Sequence, residues 1–459
     1  LTNDVKERER RAWPVGYAAC LAGFVLCVVV FYPGYISPDS IRQLTEGRAW
    51  SFTDWHPPLM AAVWGIVDRV VPGPFGMLVL HNAVFWGGLA LFWRATYRRG
   101  VWPGLCLVAS GFLPPVLALL STIWKDVGLG ASLLLASALL YTARREGSRV
   151  ALLLSIPFLF YGYGVRQNAA PAVLPLALWT GLIACRVWPR LKLKALERHS
   201  IWPLALGLAY FLLLTSAVLM TTRLLTGGRS SYILQVVLLH DITAVSIERG
   251  EVLLPDYAKS GEDFSFARVA ACYWPKDATA LYMCGAQGLS LTRNPEEIEA
   301  LRAKWLEVVA ANKAAYLRHR WEVFKWTAGL GKEEVCFPYL ATSHSFGGYE
   351  VNKWRVHQLF GAVFWKLRNT ILFRGFFWLL VTLALLSAAV AGRLRGELEA
   401  VFVLSSSGLL YGLAYFFIAP ACDFRFFWWT MLASLVSFSL CLLFAAGRRQ
   451  SRREPDEKG

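Results

Sequence analysis

The chain has 459 residues, 56% of them hydrophobic, and a positive mean hydropathy. That apolar excess argues against a soluble globular enzyme and for a membrane protein. The formal net charge of +16 would suit nucleic acid, but the basic residues sit in short clusters between apolar runs, the positive-inside pattern of cytoplasmic loops.

The first apolar run, 14–32, follows the basic stretch KERERR. It is longer than a signal-peptide core and has no small-residue exit, so it reads as a retained signal anchor. A first outer loop, 33–73, follows, with the segments SPDS and DWHPP. Its last part, 57–73, is apolar but short and carries Asp68 and Arg69. Counting it as a span would move the later basic clusters outside, so the pattern predicts an amphipathic helix on the outer membrane surface, opened by Pro57 and Pro58.

Further spans are expected at 74–93, 103–121, 127–143, 149–163, 169–185 and 201–222, closing an N-terminal membrane domain over 1–222. The polar segment 223–374 is the one stretch large enough for an extracytoplasmic soluble domain, with one or two helices over 294–326. Spans at 375–391, 400–420 and 427–446 and a basic tail complete a C-terminal membrane region over 375–459. The fold class is thus an α-helical polytopic membrane protein with about ten spans.

Starting inside and alternating sides places RATYRR, ARREGSR, CRVWPRLKLKALERHS, GRLRGE and GRRQSRR in the cytoplasm, together with both termini. The short outer segments keep only Arg42, Arg48, Arg69, Lys125, Arg166 and Arg425. Nine cysteines form no CxxC pair, and GxxxxGK[ST], GxGxxG and HExxH are absent, so zinc, nucleotide and redox motifs have no support. Cys20, Cys27, Cys106, Cys185 and Cys441 fall in or beside spans; Cys272 and Cys284 are close enough to pair in an oxidising compartment, which the sequence leaves open.

The same alternation gathers Asp39, Asp54, His56, Lys125, Asp126, Arg166, Gln167, Asn168, Asp423 and Arg425 on the outer face. Charges at membrane depth are costly and mark functional cavities. Each also has a structural reading. Asp39 and Asp54 would suit helix N-termini, Lys125 and Asp126 a local ion pair, and Trp50, Phe52 and Trp55 an interfacial belt. His240, Asp241, His319 and Arg320 are weaker candidates in the soluble segment. Three separate turns nevertheless bring a cation to one face, as binding a phosphate at the membrane surface requires.

The order of these features, Asp39 in SPDS, Asp54 to Pro58 in DWHPP, Lys125 and Asp126 in IWKD, Arg166 in VRQN, and Asp423 with Arg425 in DFR, resembles the GT-C superfamily of membrane glycosyltransferases. It is most similar to the branch of protein O-mannosyltransferases and the lipid A aminoarabinose transferase, with its bacterial relatives. The resemblance covers most of the chain, the segment 223–374 adding little. It implies transfer of a sugar from a polyprenyl-phosphate carrier to an extracytoplasmic lipid, glycan or protein, at a bacterial inner membrane with the site facing outward. It further implies catalytic roles for Asp39 and, less directly, Asp54, whose family counterparts are often adjacent. His56, Lys125, Asp126, Arg166, Asn168, Asp423 and Arg425 would bind substrate. Some members use a divalent cation, and Asp39 with Asp54 would offer oxygen ligands to Mg or Mn. A transporter or flippase, and a polysaccharide polymerase or ligase, are the competing readings.

Overall fold

The structure is a computed structural model that describes residues 2–188, 201–259, 264–284, 288–331, 335–336, 338–339, 348–351 and 354–453, with side chains between 13 and 448. The basic cluster expected over 189–200 and the end of the tail lie outside the described residues. Within these bounds the only regular elements are helices, apart from isolated bridges.

In chain order the first ten are α1 (Thr2–Val30), α2 (Pro38–Ala49), α3 (Pro58–Asp68), α4 (Phe75–Thr96), α5 (Val101–Ser110), α6 (Pro114–Leu120), α7 (Lys125–Glu146), α8 (Arg149–Gly164), α9 (Ala170–Val187) and α10 (Trp202–Thr226). After them come α11 (Leu234–Arg249), α12 (Phe266–Cys272), α13 (Pro295–Ala311), α14 (Lys313–Ala328), α15 (Arg355–Leu367), α16 (Gly375–Ala391), α17 (Leu398–Ile418) and α18 (Trp428–Arg453).

Among the described residues seven helices are long and apolar enough to cross a membrane: α1, α4, α7, α9, α10, α17 and α18. The apolar run expected over 103–121 is the pair α5 and α6, bent by 52°, where Pro114 and Pro115 deny the first helix a continuation. Those over 149–163 and 375–391 are apolar helices of 16 and 17 residues, shorter than the roughly 20 residues a straight span needs.

Helix α7 is the axis of the bundle. Nearly all of it is buried against α4, α8, α9 and α18, because Gly128, Gly130, Ala131, Ser132, Ala136, Ser137 and Ala138 let neighbouring backbones approach closely. A Cβ at Gly130 would fall 2.2 Å from the Trp428 ring, so glycine there is a packing requirement. Helix α10, by contrast, leaves Leu204, Leu208, Leu212, Leu213, Leu219, Met220 and Leu224 exposed, the surface of a helix that faces lipid.

The two ends of the bundle differ in chemistry. One carries the basic residues, neutralised in part by the Arg94–Glu146 pair at 2.9 Å, by Arg99 and Arg145 on buried Glu397, and by Arg144 on Glu399. The other carries α2, α3, the turns at 121–125 and 165–169, the 419–427 loop and helices α11 to α15.

Helix α3 differs from the lipid-lying helix expected over 57–73. It ends at Asp68, before the Pro72-Gly73-Pro74 turn, in which Gly73 has φ +91°. It also buries Met60, Ala61, Ala62 and Trp64 against protein, with Gly65 meeting Gly47 of α2 backbone to backbone. Its exposed large apolar residues, Ile66 and the following Val70 and Val71, lie at its end.

The expected helical stretch over 294–326 is two helices, α13 and α14, broken at Asn312. Helix α13 encloses with α11 and α12 a small core of Leu239, Ile242, Val269, Leu281 and Leu301, while α14 packs Ala315 and Tyr316 against Val245 and Val308. Helix α14 packs on α17, and Cys422 N–H donates to the Lys276 carbonyl at 2.7 Å, as Ala278 N–H does to that of Pro420. Disulfides join Cys272 to Cys284 and, unforeseen from sequence, Cys336 to Cys422.

Candidate functional site

The turn that opens α2 is fixed before any substrate is considered. Tyr35 N–H donates to the Ser121 carbonyl and Ile123 N–H to that of Tyr35, both at 2.9 Å. Ser37 is the N-cap and forms a capping box with Ser40. Ser40 Oγ donates to the Ile123 carbonyl at 2.7 Å, and Trp124 Nε1 donates to Ser37 Oγ at 2.9 Å. Capping is therefore the work of Ser37, and Asp39, one residue into the first turn, has a carboxylate that faces a cavity.

That cavity, of about 720 Å³, is lined by Asp39, Asp54, Trp55, His56, Lys125, Arg166, Gln167, Asn168, Tyr415, Arg425 and Phe426 on the bundle side. Residues of α11 and α13, among them Leu238, Ile298 and Leu301, form an apolar wall opposite. Of the residues singled out from sequence on this face, eight line it: Asp39, Asp54, His56, Lys125, Arg166, Gln167, Asn168 and Arg425. Asp126 and Asp423 stand behind the arginines.

Asp39 is the anion among these cations. Its Oδ2 lies 3.3 Å from Arg425 Nη2 and its Oδ1 3.6 Å from His56 Nε2. Lys125 Nζ is 2.7 Å from His56 Nδ1. An ammonium has only donors, so Lys125 donates to Nδ1, and the proton of a neutral His56 then sits on Nε2, the nitrogen facing Asp39. Burial, with the Lys125 charge next, pushes His56 down to about 2 and keeps it neutral. Burial alone would raise Asp39, but the charges of Arg425, Lys125 and Arg166 outweigh it and hold the carboxyl well below the usual range.

The arginines are held by buried acids. Asp126 Oδ1 is 2.9 Å from Arg166 Nη2, and Asp126 Oδ2 is 3.8 Å from Arg425 Nε. Asp423 Oδ2 is 2.7 Å from Arg425 Nε, while its Oδ1 accepts from the Arg425 backbone N–H at 3.1 Å and so caps the short 424–427 turn. Burial pushes Asp423 up to about 6 despite Arg425. Arg166 also donates to the Tyr415 hydroxyl at 3.1 Å.

Aromatic faces complete the clamp. The Arg425 guanidinium lies 4.5 Å from the Trp124 ring centroid and that of Arg166 5.0 Å from Phe426, which stacks on Tyr415 at 4.7 Å. Trp124, Tyr415 and Phe426 were not legible as site residues. Each stands in an apolar run where an aromatic reads as lipid or core, and only the adjacency of Trp124 to Lys125 and of Phe426 to Arg425 signals a role.

Asp54 behaves differently from Asp39. Its Oδ2 accepts from Ser230 Oγ at 2.7 Å and its Oδ1 from Ser231 N–H at 2.5 Å, while its carbonyl accepts from Gln167 at 2.8 Å. It clamps the segment after α10 to the first loop. Among the described residues no group of three His, Cys, Asp or Glu converges.

His240, Asp241, His319 and Arg320 line no part of the cavity. Asp241 Oδ1 lies 2.5 Å from Arg320 Nη2 and 3.1 Å from His319 Nε2, and its Oδ2 accepts from Trp305 at 2.9 Å. Arg320 Nη1 reaches the Ala419 carbonyl at 3.2 Å. This buried network joins α11, α13 and α14 to the end of α17, next to the loop that carries Asp423 and Arg425.

Compared with protein-family models, curated proteins and solved structures, the chain finds no match.

Proposed function

We propose that the protein is an integral-membrane glycosyltransferase that moves a sugar from a polyprenyl-phosphate carrier to an acceptor at the site end of the bundle. The observation that carries this reading is the Asp39 carboxylate ringed by Arg425, His56 and Lys125 in one cavity at the ends of apolar helices. With the basic end in the cytoplasm, the cavity faces the cell exterior or periplasm, and helices α11 to α15 form an extracytoplasmic cover. Ten spans, counting α5 with α6 as one and including α8 and α16, give that arrangement.

A sugar on a phosphate has a stable anionic leaving group, so the reaction needs little acid catalysis. It needs one base for the acceptor and cations for the phosphate. The acceptor hydroxyl attacks the anomeric carbon, its proton passes to Asp39, and the bond from that carbon to the phosphate oxygen breaks. The electron pair leaves with polyprenyl phosphate, whose charge meets Lys125, Arg166 and Arg425. Attack opposite the phosphate inverts the anomeric centre.

A carboxyl held so low is a weak base, and the same clamp provides the remedy. The cations that hold Asp39 down are those the phosphate would neutralise, so donor binding raises Asp39 toward a working value as it supplies the substrate. Asp54 anchors the loop over the cavity. The cations stand at helix ends instead of mid-bundle, which favours surface chemistry over translocation.

The test is release of free polyprenyl phosphate by purified protein from a panel of polyprenyl-phosphate sugars, with cell-envelope extract as acceptor. Cleavage of at least one donor is expected. No cleavage of any donor, with measurable flux of the same lipids in vesicles, would move the protein to the transporter class.

A further inference from the structure

A second pocket, of about 310 Å³, adjoins the reaction cavity and shares Ser230 and Tyr232 with it. Its remaining lining is Phe52, Thr53, Gly228, Arg229, Ser231 and Arg293. Two arginines from separate segments thus share the lining with four hydroxyl-bearing residues, Thr53, Ser230, Ser231 and Tyr232, and no carboxylate lines the pocket. The Arg229 Nε–H donates to the Thr226 carbonyl at 3.3 Å, which leaves its terminal nitrogens for a ligand. Arg293 is exposed and has no carboxylate partner among the described residues. Its loop is nevertheless held in place, since Thr292 N–H donates to Gln235 Oε1 and Gln235 Nε2 to the Thr292 carbonyl, both at 2.9 Å. Glu46, which accepts from the Thr53 hydroxyl at 2.7 Å, is already paired with Arg42 at 3.2 Å.

Depth identifies the class of anion. Helix α10 has 25 residues, about 37 Å at 1.5 Å per residue, enough to clear a hydrocarbon core of about 30 Å. Its surface is lipid-facing almost to its end: Leu224 is 69% exposed. Arg229 follows five residues later, beyond Gly227 and Gly228, whose φ values of +62° and +78° turn the chain back over the first loop. Arg223, also exposed in the last turn, and Arg229 bracket Leu224, which puts the boundary between acyl chain and headgroup at this end of α10. Trp50, 47% exposed with Arg69 5.3 Å from its ring, stands on the same loop as Phe52, as an aromatic belt at that level requires.

We propose that Arg229 and Arg293 form an anion site for the phosphate of a membrane lipid, held at headgroup depth beside the reaction cavity. Two arginines match a phosphate through paired N–H donors, and the lipid's tails would lie along the exposed leucines of α10. The inference stands on the pocket and on α10, independently of the transferase reading.

The probe is dihexanoyl phosphatidic acid, titrated into the purified full chain in a zwitterionic detergent and followed calorimetrically, with inorganic phosphate and dihexanoyl phosphatidylcholine alongside. Saturable phosphatidic acid binding is expected, at least tenfold tighter than either comparison ligand and weakened at least tenfold by Arg229→Gln or Arg293→Gln. Because Arg293 is exposed, Arg293→Gln leaves the fold intact, and Arg293→Lys should recover part of the affinity. Lys125→Met separates this pocket from the cavity and should leave the phosphatidic acid affinity unchanged. Loss in Lys125→Met with none in the arginine variants would place the lipid in the cavity and overturn the proposal. Inorganic phosphate binding as tightly as phosphatidic acid would overturn the lipid assignment in favour of a free anion. No donor turnover enters the measurement, so its failure and that of the transferase reading are distinguishable.

Discussion

Asp39 and Arg425 stand 386 residues apart in the chain and 3.3 Å apart in space. The contact closes the first loop against the last, because Arg425 is fixed from behind by Asp423 at 2.7 Å and lies 4.5 Å from the Trp124 ring. Arg425→Lys keeps the charge but loses the planar fork that serves both acids. We expect it to lower donor turnover about tenfold or more while the protein stays monodisperse, and Arg425→Met to lower it further. Equal turnover in the two variants would mean that the fork does not matter.

Asp126 is a counterion more than a ligand. Its side chain is 1% exposed and it faces Arg166 at 2.9 Å. Asp126→Asn removes the compensation of two buried cations, and breaking a buried pair costs about 3–5 kcal/mol. A lower unfolding temperature together with weaker donor binding is expected. Full stability with weakened binding would instead make Asp126 a direct contact to substrate.

The pH dependence separates two carboxyls. Asp39, held low by the surrounding cations, stays ionised from pH 5 to 8 and gives no acid limb there in the free enzyme. Asp423, raised from 3.8 to about 6 by burial, takes up a proton in that window. Loss of its charge leaves Arg425 to draw closer to Asp39, so kcat/KM should fall below about pH 6, and the inflection should vanish in Asp423→Asn. The sign for stability is opposite: the fold favours protonated Asp423, so this group's contribution is present near pH 4 and is lost as pH rises through about 6. An inflection retained in Asp423→Asn would assign it to another group.

The disulfide between Cys336 and Cys422 ends one residue before Asp423. Cys336→Ser with Cys422→Ser should loosen the 419–427 loop directly and lower donor turnover, whereas Cys272→Ser with Cys284→Ser, where the lost bond closes a segment joined to that loop through the Lys276 and Ala278 backbone hydrogen bonds, should act mainly on the stability of the α11 to α14 unit. Urea unfolding and turnover measured on both double variants check the contrast. Equal loss of turnover in the two would remove the link to the Arg425 loop.

Each of the ten apolar runs read from sequence coincides with a helix or a bent helix pair, because apolar length is a strong signal and membrane backbone has few alternatives. That the polar residues gather at one end of the bundle was also legible, since the basic clusters order the loops. Partner choice was not. Asp39 and Asp54 are both acids of one loop, yet Asp39 faces Arg425 while Asp54 holds Ser230 and Ser231, a contact over 176 residues that no local pattern encodes. Cys336 and Cys422 were within reach of the sequence, because setting aside the five cysteines in or beside spans leaves four, all in segments expected outside. Trp124, Tyr415 and Phe426 were hidden by their own apolarity.

The most direct measurement of the central claim compares wild type with Asp39→Asn for two quantities: binding of a polyprenyl-phosphate sugar and release of polyprenyl phosphate. With Asp39 as base, the variant binds donor as well as or better than wild type, because one negative charge leaves the clamp, and releases polyprenyl phosphate about 10²-fold or more slowly. Unchanged release, with donor binding intact, would contradict the assignment and move the base away from Asp39.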